Sequence, residues 1–218
     1  MTLLSSSLAR CQAGRRDECM ALALEGMKLF ERHGAHHVRL LEALTAGEQQ
    51  GIFVLTNEFP TAEAYGTFVD ELYRDAEMGA FLSRITGADS PLVIESRSLA
   101  AEIPVDHERN ASRGAIIEVY VARPLPGRFD ACCDLAAGTF AFLAEHGATN
   151  CRLTQLRNAG SRTGALVATW EFENMKTRGI ADDLWWTDAK GRAVMDELMG
   201  NTAPMTPLSA GIYRDVHV

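Results

Sequence analysis

The sequence predicts an α+β protein made of two tandem βαββαβ repeats, with their antiparallel sheets facing each other inside one chain. Three observations predict it. First, the chain repeats itself. Laying Gly14-Arg15 on Gly127-Arg128 carries one half onto the other without a gap: His33-Gly34-Ala35 meets His146-Gly147-Ala148, Arg39-Leu40 meets Arg152-Leu153, Glu58-Phe59 meets Glu171-Phe172, and Pro91 meets Pro204. Second, each half passes through strand-like and helix-like apolar periods in the same order. Third, the alternation in the strands leaves each sheet with a second, partly apolar face, which two facing sheets bury together.

The elements follow in order. Ile116 to Ala122 alternates and is rich in β-branched residues, which suits a strand, and its counterpart is Leu3 to Ala9. A helix is expected from about Arg15 to His33, with Met20, Ala23, Leu24, Met27 and Phe30 at helical spacing; the second half repeats it with Cys133, Ala136, Ala137, Phe140 and Leu143. Gly34 and Gly147 stop these helices, and His33 and His146 sit in the last turn, at the negative end of the helix dipole. Strands over His36 to Ala43 and Ile52 to Phe59 come next, joined through Ala46-Gly47 and Gly51. Thr61 and Asn174 are N-caps of the following helices, and Asp75 and Asp188 cap a further helical segment. Pro91 and Pro204 precede the last strands. The expected organisation is a repeat over 1–103, a polar linker over 104–113 and a second repeat over 114–218.

Face assignments give the candidate site. Phe53, Leu55 and Phe59, with Leu166, Ala168, Trp170 and Phe172, are expected under the helices, as is Asn57. The opposite face carries Val54, Thr56 and Glu58, repeated identically as Val167, Thr169 and Glu171. A hairpin turn near residues 48 to 49 would set Arg39 against Glu58 and Arg152 against Glu171. The first strand is expected to add Glu118 and Tyr120 to this inner face in the second half, and only Ser5 and Ser7 in the first. Among the histidines only His37 is expected to look inward, opposite its counterpart Asn150. Arg39, Glu58, Arg152 and Glu171 are therefore ligand-binding candidates. Their occurrence in both halves also suits structural latches, so the half-specific Glu118, Tyr120 and His37 become the catalytic candidates. An inward glutamate suits a general base, and an inward arginine suits a carboxylate or enolate.

Composition excludes some classes. A net charge of −8 and a pI near 5.3 repel phosphate backbones, so nucleic acid is not an expected partner. No apolar run approaches the ~20 residues of a membrane span. Met1 to Ala9 lacks a basic start and a continuous apolar core, so it is read as structure rather than as a leader. Five cysteines without paired spacing read as reduced thiols of a cytoplasmic protein. Cys132-Cys133 and the histidine-dense His33 to His37 show no zinc spacing. No phosphate loop or nucleophile elbow is present. Trp185-Trp186 reads as helix packing, or as an interface or lid if exposed.

The doubled βαββαβ order resembles the dimeric α/β-barrel (ferredoxin-like) superfamily over the whole chain, as a tandem-repeat member. The segment Thr56-Asn57-Glu58-Phe59-Pro60-Thr61-Ala62-Glu63-Ala64 looks most similar to NIPSNAP-like members, and the chain as a whole is nearest in look to NIPSNAP-like and antibiotic-biosynthesis-monooxygenase-like proteins. The resemblance implies two ferredoxin-like units closing one barrel. It also implies a cavity that binds or transforms a small, largely apolar molecule between the sheets. The monooxygenase branch often uses Asn, Trp and His in its cavity, and haem-binding relatives need an axial ligand, usually His. Two alternatives stay open: a non-catalytic structural or oligomerisation protein with a filled barrel, and a cofactor-free monooxygenase-like enzyme or haem binder. No cofactor or metal is expected. The expected partners are a small-molecule ligand and, as a homodimer, a second copy of the chain, without membrane or nucleic acid.

Overall fold

The computed structural model describes residues 2–216; Met1, His217 and Val218 lie outside them. The first half runs β1 (Leu3–Cys11), α1 (Arg16–Arg32), β2 (His36–Thr45), β3 (Ile52–Phe59), α2 (Ala62–Arg74), α3 (Ala76–Thr86) and β4 (Leu92–Ile103). The second runs β5 (Ile116–Pro124), α4 (Phe129–Glu145), β6 (Thr149–Asn158), β7 (Leu166–Phe172), α5 (Met175–Thr187), α6 (Ala189–Met199) and β8 (Met205–Asp215). No helix among the described residues is long and apolar enough to cross a membrane.

Local chemistry sets the helix ends. α1 and α4 end at His33 and His146, followed by Gly34 and Gly147 at φ 86° and 90°, a region open to glycine. The His146 Nδ1–H donates to the Phe142 carbonyl at 2.7 Å. Thr61 Oγ1 accepts from the Ala64 amide at 3.1 Å, and Asn174 Oδ1 from Thr177 at 3.0 Å. Asp75 accepts from Glu77 and Met78, and Asp188 from Lys190 and Gly191, so a second helix starts in each half.

The eight strands close one barrel in the order β1-β3-β2-β8-β5-β7-β6-β4, antiparallel throughout. The halves join through β2 against β8 and β4 against β6. A core lies between sheet and helices in each half. The first is built on Met27, Phe59, Phe68 and Phe81, the second on Leu135, Phe140, Leu143 and Phe172. Smaller apolar clusters around Leu41, Ile117, Val121 and Leu156 fill part of the barrel.

Four expectations need correction. The first strands are in the opposite phase: Ile117, Val119 and Val121 line the barrel, while Glu118 and Tyr120 face the helices. Ser7 likewise lies under the helices and Ser6 inside. Both faces of these strands are buried by something, so alternation by itself does not say which face is which. The hairpin register is also shifted. A bulge between His36 and Arg39 sets His36 against Glu58 and Arg39 against Thr56, and the second half repeats it at Thr149 to Arg152. His37 occupies the bulge at φ 51° and is exposed rather than inward; its counterpart Asn150, at φ 48°, is buried and turned into the barrel. Finally, Cys11 and Cys19 pair as a disulfide with Cα atoms 6.0 Å apart, because the strand end and the first turn of α1 fold back on each other. Cys132, Cys133 and Cys151 are free.

Candidate functional site

Strand direction alternates around the barrel, so the starts of β2 and β6 and the ends of β3, β4, β7 and β8 meet at one mouth. The expected Arg–Glu pairs exchange partners there. Arg39 binds Glu171 at 2.5 Å and Asp215 at 2.6 Å, both in the other half. Arg152 binds Glu58 at 2.5 Å and Glu102 at 3.1 Å, again across the halves. Glu102 and Asp215 occupy equivalent positions in the repeat, so the two latches are symmetry copies. Burial works against the Arg39 and Arg152 charges, but the hydrogen bonds of their carboxylates outweigh it and hold both above the ordinary arginine value. Asn150 Nδ2 donates to Glu171 Oε1 at 2.5 Å, Arg109 Nε to Asn150 Oδ1 at 2.7 Å, and the Gly114 amide to Glu171 Oε2 at 2.8 Å. Burial pulls the Arg109 pKa down, and the neighbouring Arg152 adds to this. The four ligand-binding candidates are thus together at one mouth, with their polar atoms engaged by one another.

Each half also has a space between its sheet and its helices. In the first it is about 70 Å3 and in the second about 210 Å3. The repeat explains the difference residue by residue. Under α2 the rings of Phe59, Tyr65, Phe68 and Phe30 pack at 4.8 to 5.4 Å, Phe30–Phe68 and Phe59–Tyr65 edge to face and Phe59–Phe68 tilted. Their counterparts are Phe172, Arg178, Ala181 and Leu143. Phe81, whose ring lies against Gly26, is replaced by Val194, Gly26 by Thr139, and Leu55 by Ala168. Aromatic volume is lost, and polar groups enter.

Those polar groups converge on β5. Glu118 pairs with Trp170 across the β5–β7 ladder, and the Trp170 Nε1–H donates to Glu118 Oε2 at 3.1 Å. Arg178, where the first half has Tyr65, donates from Nε at 3.2 Å and from Nη2 at 2.9 Å to the same carboxylate. It also pairs with Asp182 at 3.1 Å. The Glu118 hydrogen bond, ahead of the cost of partial burial, raises the Arg178 pKa, so this group stays a cation. One residue pair along β5, the Tyr120 hydroxyl is buried and has no hydrogen-bond partner. Burial pushes its pKa up, so it remains a neutral phenol. The rest of the wall is apolar, with Phe140, Leu153, Trp185 and Met205 among it. Cys132, also on the wall, is held as a thiol by burial. Trp185 packs on Phe142 at 4.6 Å, whereas Trp186 and Met199 are 64% and 62% exposed at the rim.

Sequence reasoning reached Glu118 and Tyr120 but placed them on the wrong side of the sheet. It missed Arg178. A signal was present: the repeat sets Tyr65-Phe68 against Arg178-Ala181, an exchange of two rings for a cation and a methyl. Asn57 and Trp170 face the helices as expected; Asn57 is 2% exposed and its Oδ1 has no partner. No histidine lines the two sheet–helix spaces or the barrel interior among the described residues. The second-half cavity lacks the usual histidine ligand of haem, and burial holds its Tyr120 phenol and Cys132 thiol in their neutral forms.

No family profile and no curated protein matches the sequence. Solved structures do match in fold. An anthrone oxidase-like protein superposes with a TM-score of 0.67 at 14% identity, over 99% of this chain and 92% of that one. A putative monooxygenase from Fusobacterium nucleatum gives 0.63 at 9% identity, over 99% and 94%. A haem-binding protein from Thermus thermophilus gives 0.55 at 10%, over 98% and 90%. At these identities the likeness concerns the fold: two tandem ferredoxin-like units closed as one eight-stranded barrel within a single polypeptide.

Proposed function

We propose that this protein binds a small, flat, largely apolar molecule carrying one oxygen function in the sheet–helix cavity of its second half. The observation that carries the reading is the buried, unpartnered Tyr120 hydroxyl on the wall of a cavity that the first half has filled. A buried hydroxyl without a partner costs about 1–3 kcal/mol, and a ligand oxygen removes that cost. Glu118, held by Trp170 and Arg178, supplies a positioned carboxyl group beside it. Trp185 and Trp170 offer faces for a ring. The barrel centre holds a cavity of about 170 Å3, which argues against the filled-barrel alternative.

A second reading is oxidation of that ligand without a cofactor. It is favoured by the description of two structural neighbours as anthrone oxidase-like and as a putative monooxygenase. Native mass spectrometry of protein purified from its source tests binding, and oxygen uptake with the co-purified compound tests oxidation. A ligand released by Ala168→Leu, which copies Leu55 of the first half, supports the assignment. Ligand retained unchanged in both Tyr120→Phe and Ala168→Leu rejects it.

A further inference from the structure

The barrel interior breaks its own symmetry at the mouth opposite the latches, where the turns after β2 and β6 stand. On one side the space is filled. Tyr213 is 4% exposed, its hydroxyl donates to Gln49 Oε1, and its ring passes within 2.9 Å of where a Cβ on Gly211 would lie. The repeat puts Ala100 where Tyr213 stands, Arg162 where Gln49 stands and Ser98 where Gly211 stands. A phenol ring is therefore missing from the other side, and the polar group above the gap is a guanidinium.

Arg162, Ala100 and Ser98 all line the barrel cavity. The Arg162 guanidinium makes one side-chain hydrogen bond, from Nη2 to Ser96 Oγ at 3.4 Å, and pairs with none of the described carboxylates. The latch arginines, by contrast, are each matched by two acids. Below Arg162 the wall carries Leu8, Val119, Val121, Leu156 and Val167 interspersed with the hydroxyls of Ser6, Ser98, Thr154 and Ser209, and the latch residues close its far end. The volume of about 170 Å3 is far above the ~10–15 Å3 that admits a single water.

From this we infer that the barrel interior is a second binding site, for a small monocarboxylate. The carboxylate pairs with Arg162, and the short apolar body occupies the space that Tyr213 fills on the symmetry-related side. A charged head is required because a guanidinium with a carboxylate forms hydrogen bonds about twice as strong as neutral pairs. The inference stands independently of the cavity under the helices.

Calorimetric titration of the full chain with hexanoate, and with hexan-1-ol as the uncharged control, tests it. Hexanoate should bind once per chain, and hexan-1-ol at least tenfold more weakly. Arg162→Gln, which installs the residue of the other half, should weaken hexanoate at least tenfold and leave hexan-1-ol unchanged. Ala100→Tyr should block both; if that variant does not fold, Arg162→Gln still decides. Ala168→Leu, which fills the other cavity, should leave hexanoate binding intact. Absence of hexanoate binding, equal binding in Arg162→Gln, or loss of binding in Ala168→Leu would each overturn the inference.

Discussion

Tyr120 illustrates how one side chain splits stability from binding. Its hydroxyl is buried without a partner. Replacing a polar group that lacks a partner by its apolar isostere removes a desolvation cost. Tyr120→Phe is therefore expected to raise the stability of the ligand-free protein by about 1 kcal/mol, read by urea unfolding, while weakening ligand binding about tenfold. Arg39 is the opposite case. It is buried and neutralised by Glu171 and Asp215. Arg39→Met strands two buried carboxylates and should cost about 3–5 kcal/mol, and Arg152→Met less, because Glu58 and Glu102 are partly exposed and Glu102 keeps Arg109. A cost below 1 kcal/mol in chemical denaturation would remove the latch role. The sequence identified the arginines and glutamates but paired them within each hairpin. The bulge at His37 and Asn150 reverses that pairing, and a single residue in left-handed backbone leaves almost no trace in the apolar pattern.

At the scale of elements, the breaks between α2 and α3 and between α5 and α6 are written in one residue each. Asp75 and Asp188 accept two amides of the following helix. Hydrogen bonds from Met78 and Glu77, with His33 and Arg32 nearby, lower the Asp75 pKa from 3.8 to about 2. Its folded pKa lies below the unfolded one, so its contribution is complete above 3.8 and is lost as pH falls through about 2. Asp75→Asn should accordingly flatten the acid limb of thermal stability between pH 5 and pH 2, leaving the neutral limb less affected. An unchanged acid limb would mean that the carboxylate is not ionised in this cap. These caps, the glycine stops after His33 and His146, and the strand runs were all legible, because each depends on a few neighbours in the chain. The phase of β1 and β5 was not. Ile117-Val119-Val121 and the helix-facing Ile116-Tyr120-Ala122 are both apolar enough to be buried, and which partner covers which face is a tertiary matter.

At the scale of the molecule, duplication followed by divergence separates frame from site. The first half keeps the ring cluster of Phe30, Phe59, Tyr65 and Phe68 and has little free volume. The second has Arg178 and Ala181 in place of Tyr65 and Phe68 and Leu143 in place of Phe30, and opens about 210 Å3. Restoring one lost side chain should reverse the exchange. Ala168→Leu adds apolar atoms to empty space and is expected to raise stability by about 1 kcal/mol while excluding the ligand. A fall in melting temperature would show that the space is smaller than the wall geometry indicates.

The sequence by itself determined the repeat, the order of elements, the caps and the antiparallel barrel, because periodicity, capping and self-similarity act over short distances or by direct comparison of two segments. Only the tertiary structure decided three things: that the arginine latches cross between the halves, that Glu118 and Tyr120 lie under the helices, and that two unlike cavities remain. Each depends on which side chains from distant segments fill a shared volume. A bulge of one residue, or one ring exchanged for a methyl, changes that volume without changing the pattern along the chain.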